Sequence, residues 1–414
     1  MHPTDNLIHH GTPAFRRTNL ALFAAGLATF GLLYCVQPLM PQFSQHYGIS
    51  AATSALSLSL TTGVLAFAML FAGGVSDAVG RKSVMVASLL SSAVLVLLTA
   101  MMPNWYALLT LRTLLGITLS GLPAVAMTYL TEEIHAESIG LGMGLYISGS
   151  AIGGMSGRLI AGVVADVAGW RVGVGVVGLI GLISALVFWK ALPPSRNFHP
   201  QTLQWRTLFA RFAGIFRDPG LPWLFLAGFL LLGAFVTVYN YLGYRLMAAP
   251  FNLSQAVVGL IFGIYLVGTF SSAWMGHLAG KLGRRKVLWT TFALMLLGVA
   301  CTMTASLWLI ILGITAITFG FFGGHSIVSS WVGRRGGAAK AQASSMYLFS
   351  YYMGSSVAGW SGGLFYAADH WPGVALFVAA LVLAGLLIAL RLYRLPPLPQ
   401  RVTPPTPMSK GAMP

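Results

Sequence analysis

Acidic residues are almost missing from this chain. Asp and Glu together number eight in 414 residues, against 24 Lys and Arg, for a formal charge of +16. All eight (Asp5, Asp77, Glu132, Glu133, Glu137, Asp166, Asp218 and Asp369) fall at the ends of apolar runs or between them. None is placed to meet a cation inside a run, whereas Arg112 and Arg158 do lie inside runs, so a ligand held there is expected to be neutral or anionic. Cysteine is scarcer still. Cys35 and Cys301 are the whole complement, each inside a run, which indicates neither a disulfide framework nor a metal site. No Walker-type phosphate loop occurs, so ATP-driven chemistry has no support. Charged residues make up 8% of the chain and hydrophobic ones 57%, too little charge to cover a soluble protein of this size.

What is present is a series of apolar runs of about twenty residues, the length that crosses a bilayer as a helix. The chain reads as an all-α membrane protein with twelve transmembrane helices. Six helices are expected in 19–189, six more in 223–393, and a basic connector, part of it an amphipathic helix at the membrane surface, in 190–222. Residues 1–18 and the Pro-rich 394–414 are expected to lie outside the bundles. The first helix is expected over about 19–40, the fourth over about 105–130, and the run after Arg16 and Arg17 is read as a retained helix rather than a cleaved signal. All but four of the 24 bases fall on one side of this topology; Arg171 and Arg245 fall on the other, and Arg112 and Arg158 within helices. That asymmetry places both termini in the cytoplasm and accounts for the charge without nucleic acid.

The ten residues Gly73-Gly74-Val75-Ser76-Asp77-Ala78-Val79-Gly80-Arg81-Lys82 sit between the second and third runs. Gly73, Gly80 and Arg81 recur as Gly276, Gly283 and Arg284, while Asp77 maps onto Gly280. Tyr146 and Tyr347 share the same offset, and Gly169-Trp170-Arg171 is echoed by His370-Trp371-Pro372. The halves are therefore read as an internal repeat, the construction of carriers that alternate access. The spacing G-x-x-x-D-x-x-G-R-K resembles the loop between helices 2 and 3 of the major facilitator superfamily. Leu111-Arg112-Thr113-Leu114-Leu115-Gly116 resembles the helix-4 motif of its proton-coupled members. Gly149, Gly153, Gly154 and the following Gly157-Arg158 resemble its helix-5 antiporter motif, with Ser150 in place of a proline and Leu145 in place of a glycine. Pro38-Leu39-Met40-Pro41 resembles the end of helix 1 in twelve-helix drug:proton antiporters, without the helix-1 acid of many relatives. The segments 146–158 and 239–245 are most similar to bacterial arabinose-efflux-permease-like carriers of the YnfM type.

The resemblance implies the major facilitator fold of two pseudo-symmetric six-helix bundles, no enzymatic activity and no cofactor. It implies a monomeric inner-membrane carrier, with protons, a small-molecule substrate and the lipid bilayer as partners. It assigns gating to Asp77, with Gly73, Gly80, Arg81, Gly283 and Arg284. Asp77 is either a loop acid balancing Arg81 and Lys82, or a latch that caps the start of helix 11 near Ala341 to Ser345 when the protein faces outward. Glu133 or Glu137 is the expected partner of Arg81. Arg112 is either a structural arginine on backbone carbonyls or a residue of the proton step, as Asp77 is through its latch. Arg158 either pairs with Asp166 or faces substrate. Tyr34, Gln37, Arg112, Tyr239, Asn240, Tyr241, His325 and Tyr351 are the candidate cavity residues, with an interfacial belt as the other reading of the tyrosines and packing that of His325. The expected activity is proton-coupled efflux; a proton-driven importer and a passive facilitator remain open.

Overall fold

The structure, a computed structural model, describes residues 7–198, 200 and 213–395. Among them the only β-pairing is an isolated bridge between Ile8 and Ile134. Helix α1 (Pro13–Tyr34) stops well short of the expected end. Pro38 has no N–H to offer the Tyr34 carbonyl and its ring crowds that turn. A short 3-10 turn, Gln37–Leu39, then leads into α2 (Met40–Tyr47), so the first crossing is broken within its length. Next come α3 (Ala51–Val79) and α4 (Arg81–Met101). The fourth crossing is also split, into α5 (Trp105–Leu119) and α6 (Gly121–Glu133), because Pro123 withholds the donor that Leu119 would need. Helices α7 (Ile139–Ala168) and α8 (Trp170–Ala191) complete the first half.

The second half contains α9 (Leu221–Met247), α10 (Gln255–Ile261), α11 (Tyr265–Leu282), α12 (Arg284–Thr302) and α13 (Leu307–Arg335). Helix α14 (Lys340–Tyr393) is 54 residues long and leaves helical geometry at Asp369 and His370. Among the described residues eleven stretches are long and apolar enough to cross a membrane, and the break in the last makes twelve crossings. The expected amphipathic segment of the connector falls largely on 201–212, and most of the tail on 396–414, outside the described residues.

Each half is held by a seam of glycines. In the first, a Cβ on Gly149, Gly153 or Gly157 of α7 would strike the backbone of Phe23, Leu27 or Gly31 on α1. In the second, Gly354 of α14 meets the Phe229 backbone of α9 in the same way. Such approach lets helices gain dispersion contact where lipid gives no hydrophobic drive. The helix-5 glycines thus pack α7 on α1. Gly154 is different, with the Arg158 side chain nearest to it.

The two cations that stand apart from the basic side have matched jobs. Arg171 donates to the Met102 carbonyl at 3.1 Å, at the end of α4. Arg245 donates to the carbonyls of Thr302 and, at 2.6 Å, Thr304, at the end of α12. Their guanidinium carbons lie 4.5 Å and 5.0 Å from the Trp170 and Trp371 rings. Each neutralises a helix C-terminus, the negative end of its dipole.

At the opposite, basic end, Asp218 ties α9 to α13. It accepts from Arg335 at 2.7 and 3.0 Å and from the Gly220 and Leu221 amides, both at 2.8 Å. Burial alone would raise its carboxyl; the Arg335 hydrogen bonds, then the two amides, outweigh burial and hold it below the ordinary carboxylate range. The stabilisation is therefore complete above the unfolded value of about 3.9 and disappears as pH falls through the lower folded value. Asp218→Asn should lower the melting temperature at neutral pH, and the gap to the unsubstituted protein should close below about pH 4 in thermal scans.

Candidate functional site

The break in the first crossing presents Gln37 at the interface of the two halves. Gln37 accepts from Arg158 Nε at 2.6 Å and donates to Asn240 of α9 at 2.8 Å. Arg158 is 2% exposed and also donates to the Gly154 carbonyl. Its guanidinium carbon sits 4.0 Å from the Tyr34 ring, 4.7 Å from Tyr265 and 5.5 Å from Phe262. No carboxylate touches it among the described residues. Asp166 instead accepts from the Gln255 backbone at 3.1 Å, so the Arg158–Asp166 pairing entertained from sequence does not form.

Arg112 has a different environment. Its side chain is fully buried, and it donates to the carbonyls of Ser57 (2.8 Å), Leu32 (3.1 Å) and Leu33 (2.6 Å). Two of these acceptors belong to the last turn of α1, whose carbonyls lose helical donors at the break. The residue thus caps a helix end in the middle of the bundle and stitches α1, α3 and α5 together.

The aromatic candidates divide. Tyr239 bonds Thr318 at 2.8 Å, and Tyr241 bonds the Gly359 carbonyl at 2.8 Å, both packed within the second half. His325 bonds Tyr347 at 2.8 Å and lies 4.7 Å from the Tyr351 ring; both His325 and Tyr351 keep some exposure. Tyr265 and Phe262, which complete the ring around Arg158, carried no sequence signal beyond being aromatic residues in an apolar run.

Contacts between the halves cluster at the end that carries Trp170. Gly162 faces Gly259, where an added Cβ would lie 2.9 Å from the opposite Cα; Gly363 meets the Ala52 backbone just as closely. Gln255 donates to the Pro38 carbonyl at 2.6 Å, and Tyr244 bonds Ser44 at 2.6 Å. Farther along, Ser356 donates to the Ser59 carbonyl at 2.7 Å and the Phe67 and Phe349 rings meet at 5.1 Å. Gly162 and Gly363 share the offset of Tyr146 and Tyr347, so the repeat relates the two positions, but only the structure shows that each meets the other half.

The sequence profile of the Major Facilitator Superfamily matches residues 22–246 and 241–412. This chain belongs to the major facilitator superfamily. It is 52% identical to the inner membrane transport protein YnfM of Escherichia coli (strain K12) over 390 residues, 94% of each chain. It is 46% identical to the MFS-type transporter YybF of Bacillus subtilis (strain 168), over 92% of this chain and 94% of that one. In fold it is similar to a bacterial homologue of the human lysosomal transporter Spinster in an inward-facing, unoccupied conformation. The TM-score is 0.75 at 16% identity, covering 92% of this chain and 97% of that one. The nucleoside transporter NupG matches at TM-score 0.75 and 16% identity, covering 91% and 99%. The protein is a multi-pass inner-membrane transporter of this superfamily and not an enzyme.

At the basic end of this transporter, Arg81 bonds Asp77 and, through two nitrogens at 3.0 and 2.8 Å, Glu132. Glu132 thus takes the place expected of Glu133 or Glu137. Glu133 turns away to accept from the Asn197 backbone at 2.9 Å. Asp77 lies in the last turn of α3, which runs on to Val79, rather than in a loop. Gly80 and Gly283 make the turns, with φ of 108° and 96° that only glycine adopts freely. Gly73 has open space beside it in this conformation. Arg284 bonds Ser330 at 2.9 Å within the second half.

Proposed function

We propose that this chain is a secondary active carrier that exports a small solute across the inner membrane in exchange for protons, by rocking the bodies 19–189 and 223–393 about a site between them. The basic end and both termini would lie in the cytoplasm, with 190–222 as connector and a single chain as the working unit. The observation that carries the reading is one-sided closure. The halves touch backbone to backbone at the Trp170 end, while the Asp77–Arg81–Glu132 cluster engages only the first half. Asp77 is the natural latch for the reverse state. Its carboxylate would leave Arg81 for the amides at the start of α14, and protonation would weaken that hold. Arg112 would act on the proton step through the α1 break it holds. Efflux is supported by the helix-5 resemblance. A passive facilitator is the second reading, favoured because no carboxylate lies in the middle of the bundle among the described residues.

Inside-out vesicles with an acidified interior decide between them. Adding the transported solute from a panel of sugars, organic anions, amino acids and cationic drugs should alkalinise the lumen, and Asp77→Asn should abolish the response. Solute flux without proton movement would leave the facilitator.

A further inference from the structure

The reading as a carrier leaves the cargo open, and Arg158 constrains it. A guanidinium buried without an opposite charge is costly, because hydrogen bonds to neutral groups recover only part of its lost hydration. Arg112 meets that cost with three backbone carbonyls on two helices, two of them at a helix C-terminus. Arg158 does not. It has one carbonyl and the Gln37 amide oxygen, and its other terminal amine has no protein acceptor among the described residues. The hydroxyl of Tyr265, whose ring stands 4.7 Å from the guanidinium carbon, is buried without a hydrogen-bond partner among the described residues. One free guanidinium amine and one free hydroxyl match the acceptors of one carboxylate. The other groups around Arg158 are aromatic: the rings of Tyr34 and Phe262 stand 4.0 and 5.5 Å from the guanidinium carbon, and such surroundings suit a flat apolar body.

We propose that Arg158 and Tyr265 form the anchor of a cargo site for an organic monoanion, a carboxylate carried on an aromatic or similarly flat apolar body. This rests on the chain being a carrier with its site between the halves. Gln37 positions the anchor: it takes Arg158 Nε on one side and hands its own amide to Asn240 on the other, so occupation of Arg158 is felt directly by the second half. A neutral solute would leave the guanidinium uncompensated, and a cation would be repelled by it.

Binding tests this without requiring transport. The full chain in nanodiscs would be titrated with benzoate, benzamide and benzylamine, which keep one ring and change the charge, and followed by tryptophan fluorescence and melting temperature. Benzoate should bind and raise the melting temperature, with the other two at least about tenfold weaker, the discrimination given by one charge-assisted pair. Arg158→Gln should lose at least about tenfold in benzoate affinity. Should Arg158→Gln fail to fold, Tyr265→Phe removes only a hydroxyl and should still weaken benzoate several-fold. Equal binding of the three probes, no binding of any, or undiminished benzoate binding in both variants would overturn the anion site. Benzoate binding in a protein that moves no protons in vesicles would keep this site and remove only the proton coupling.

Discussion

Valine at Gly363 or at Gly162 should force open the Trp170 end of the protein. At Gly363 the added carbons collide with the Ala52 backbone, and at Gly162 with the Gly259 backbone. Neither obstacle can rotate away, as a side chain could, so the helices must separate or the state must be abandoned. Overpacking of this kind costs about 1–3 kcal/mol. Charged wholly to the closed state, that is roughly a 5- to 150-fold shift in population toward the form open at this end. Spin labels at the exposed Gln45 and Ala248, on opposite halves, would report it as a longer distance. Solute flux should fall by a similar factor, since alternation requires both closures. Gly175→Ala is the control, because a Cβ there meets only ordinary contact with Ala100 at 3.9 Å. Unchanged label distances and full transport in both valine variants would show that these glycines are not a seal.

Loss of the Arg112 side chain should be the most damaging single change in the first half. Arg112→Met fills similar volume but removes three hydrogen bonds from a charged donor, each worth about 1.5–3 kcal/mol, and leaves the Leu33 carbonyl without a donor among the described residues. Removing the buried charge returns part of that cost. Arg112→Lys keeps the charge, but one compact ammonium on a different stem cannot fan out to acceptors on α1 and α3. Both variants should therefore melt at least about 5 °C lower, taking 2–4 °C per kcal/mol for a large domain. Both should lose transport at every pH. The competing outcome is informative: a lysine variant that melts normally but has a displaced pH profile would place Arg112 in the proton step itself and not in holding the α1 break.

These results would also separate what a buried arginine does from where it lies. Arg112 and Arg158 read alike in the sequence, each a lone base in an apolar run. Their difference comes from neighbours distant along the chain. Arg112 receives carbonyls from residues 55, 79 and 80 positions away, whereas Arg158 meets Gln37, 121 positions away, and a ring of aromatics from both halves.

By itself the sequence determined the class, the count of crossings and the repeat. Apolar length, scarcity of charge and the one-sided placement of bases are local properties that a bilayer imposes on any spanning chain. Glycine at 80 and 283 was legible for the same reason, as a turn requires positive φ whatever surrounds it. The helix breaks were legible in principle, because Pro38 and Pro123 remove specific donors, yet length alone suggested unbroken helices. Tertiary structure decided everything that depends on partners: Glu132 over Glu133 for Arg81, Gln255 over Arg158 for Asp166, and packing within the second half for Tyr239 and Tyr241. It also decided which glycines seal one end and which merely pack a bundle. A hydrogen bond or a backbone contact between halves depends on register and rotation about each helix axis. Those are set by the sum of many weak packing contacts, which no spacing along the chain records.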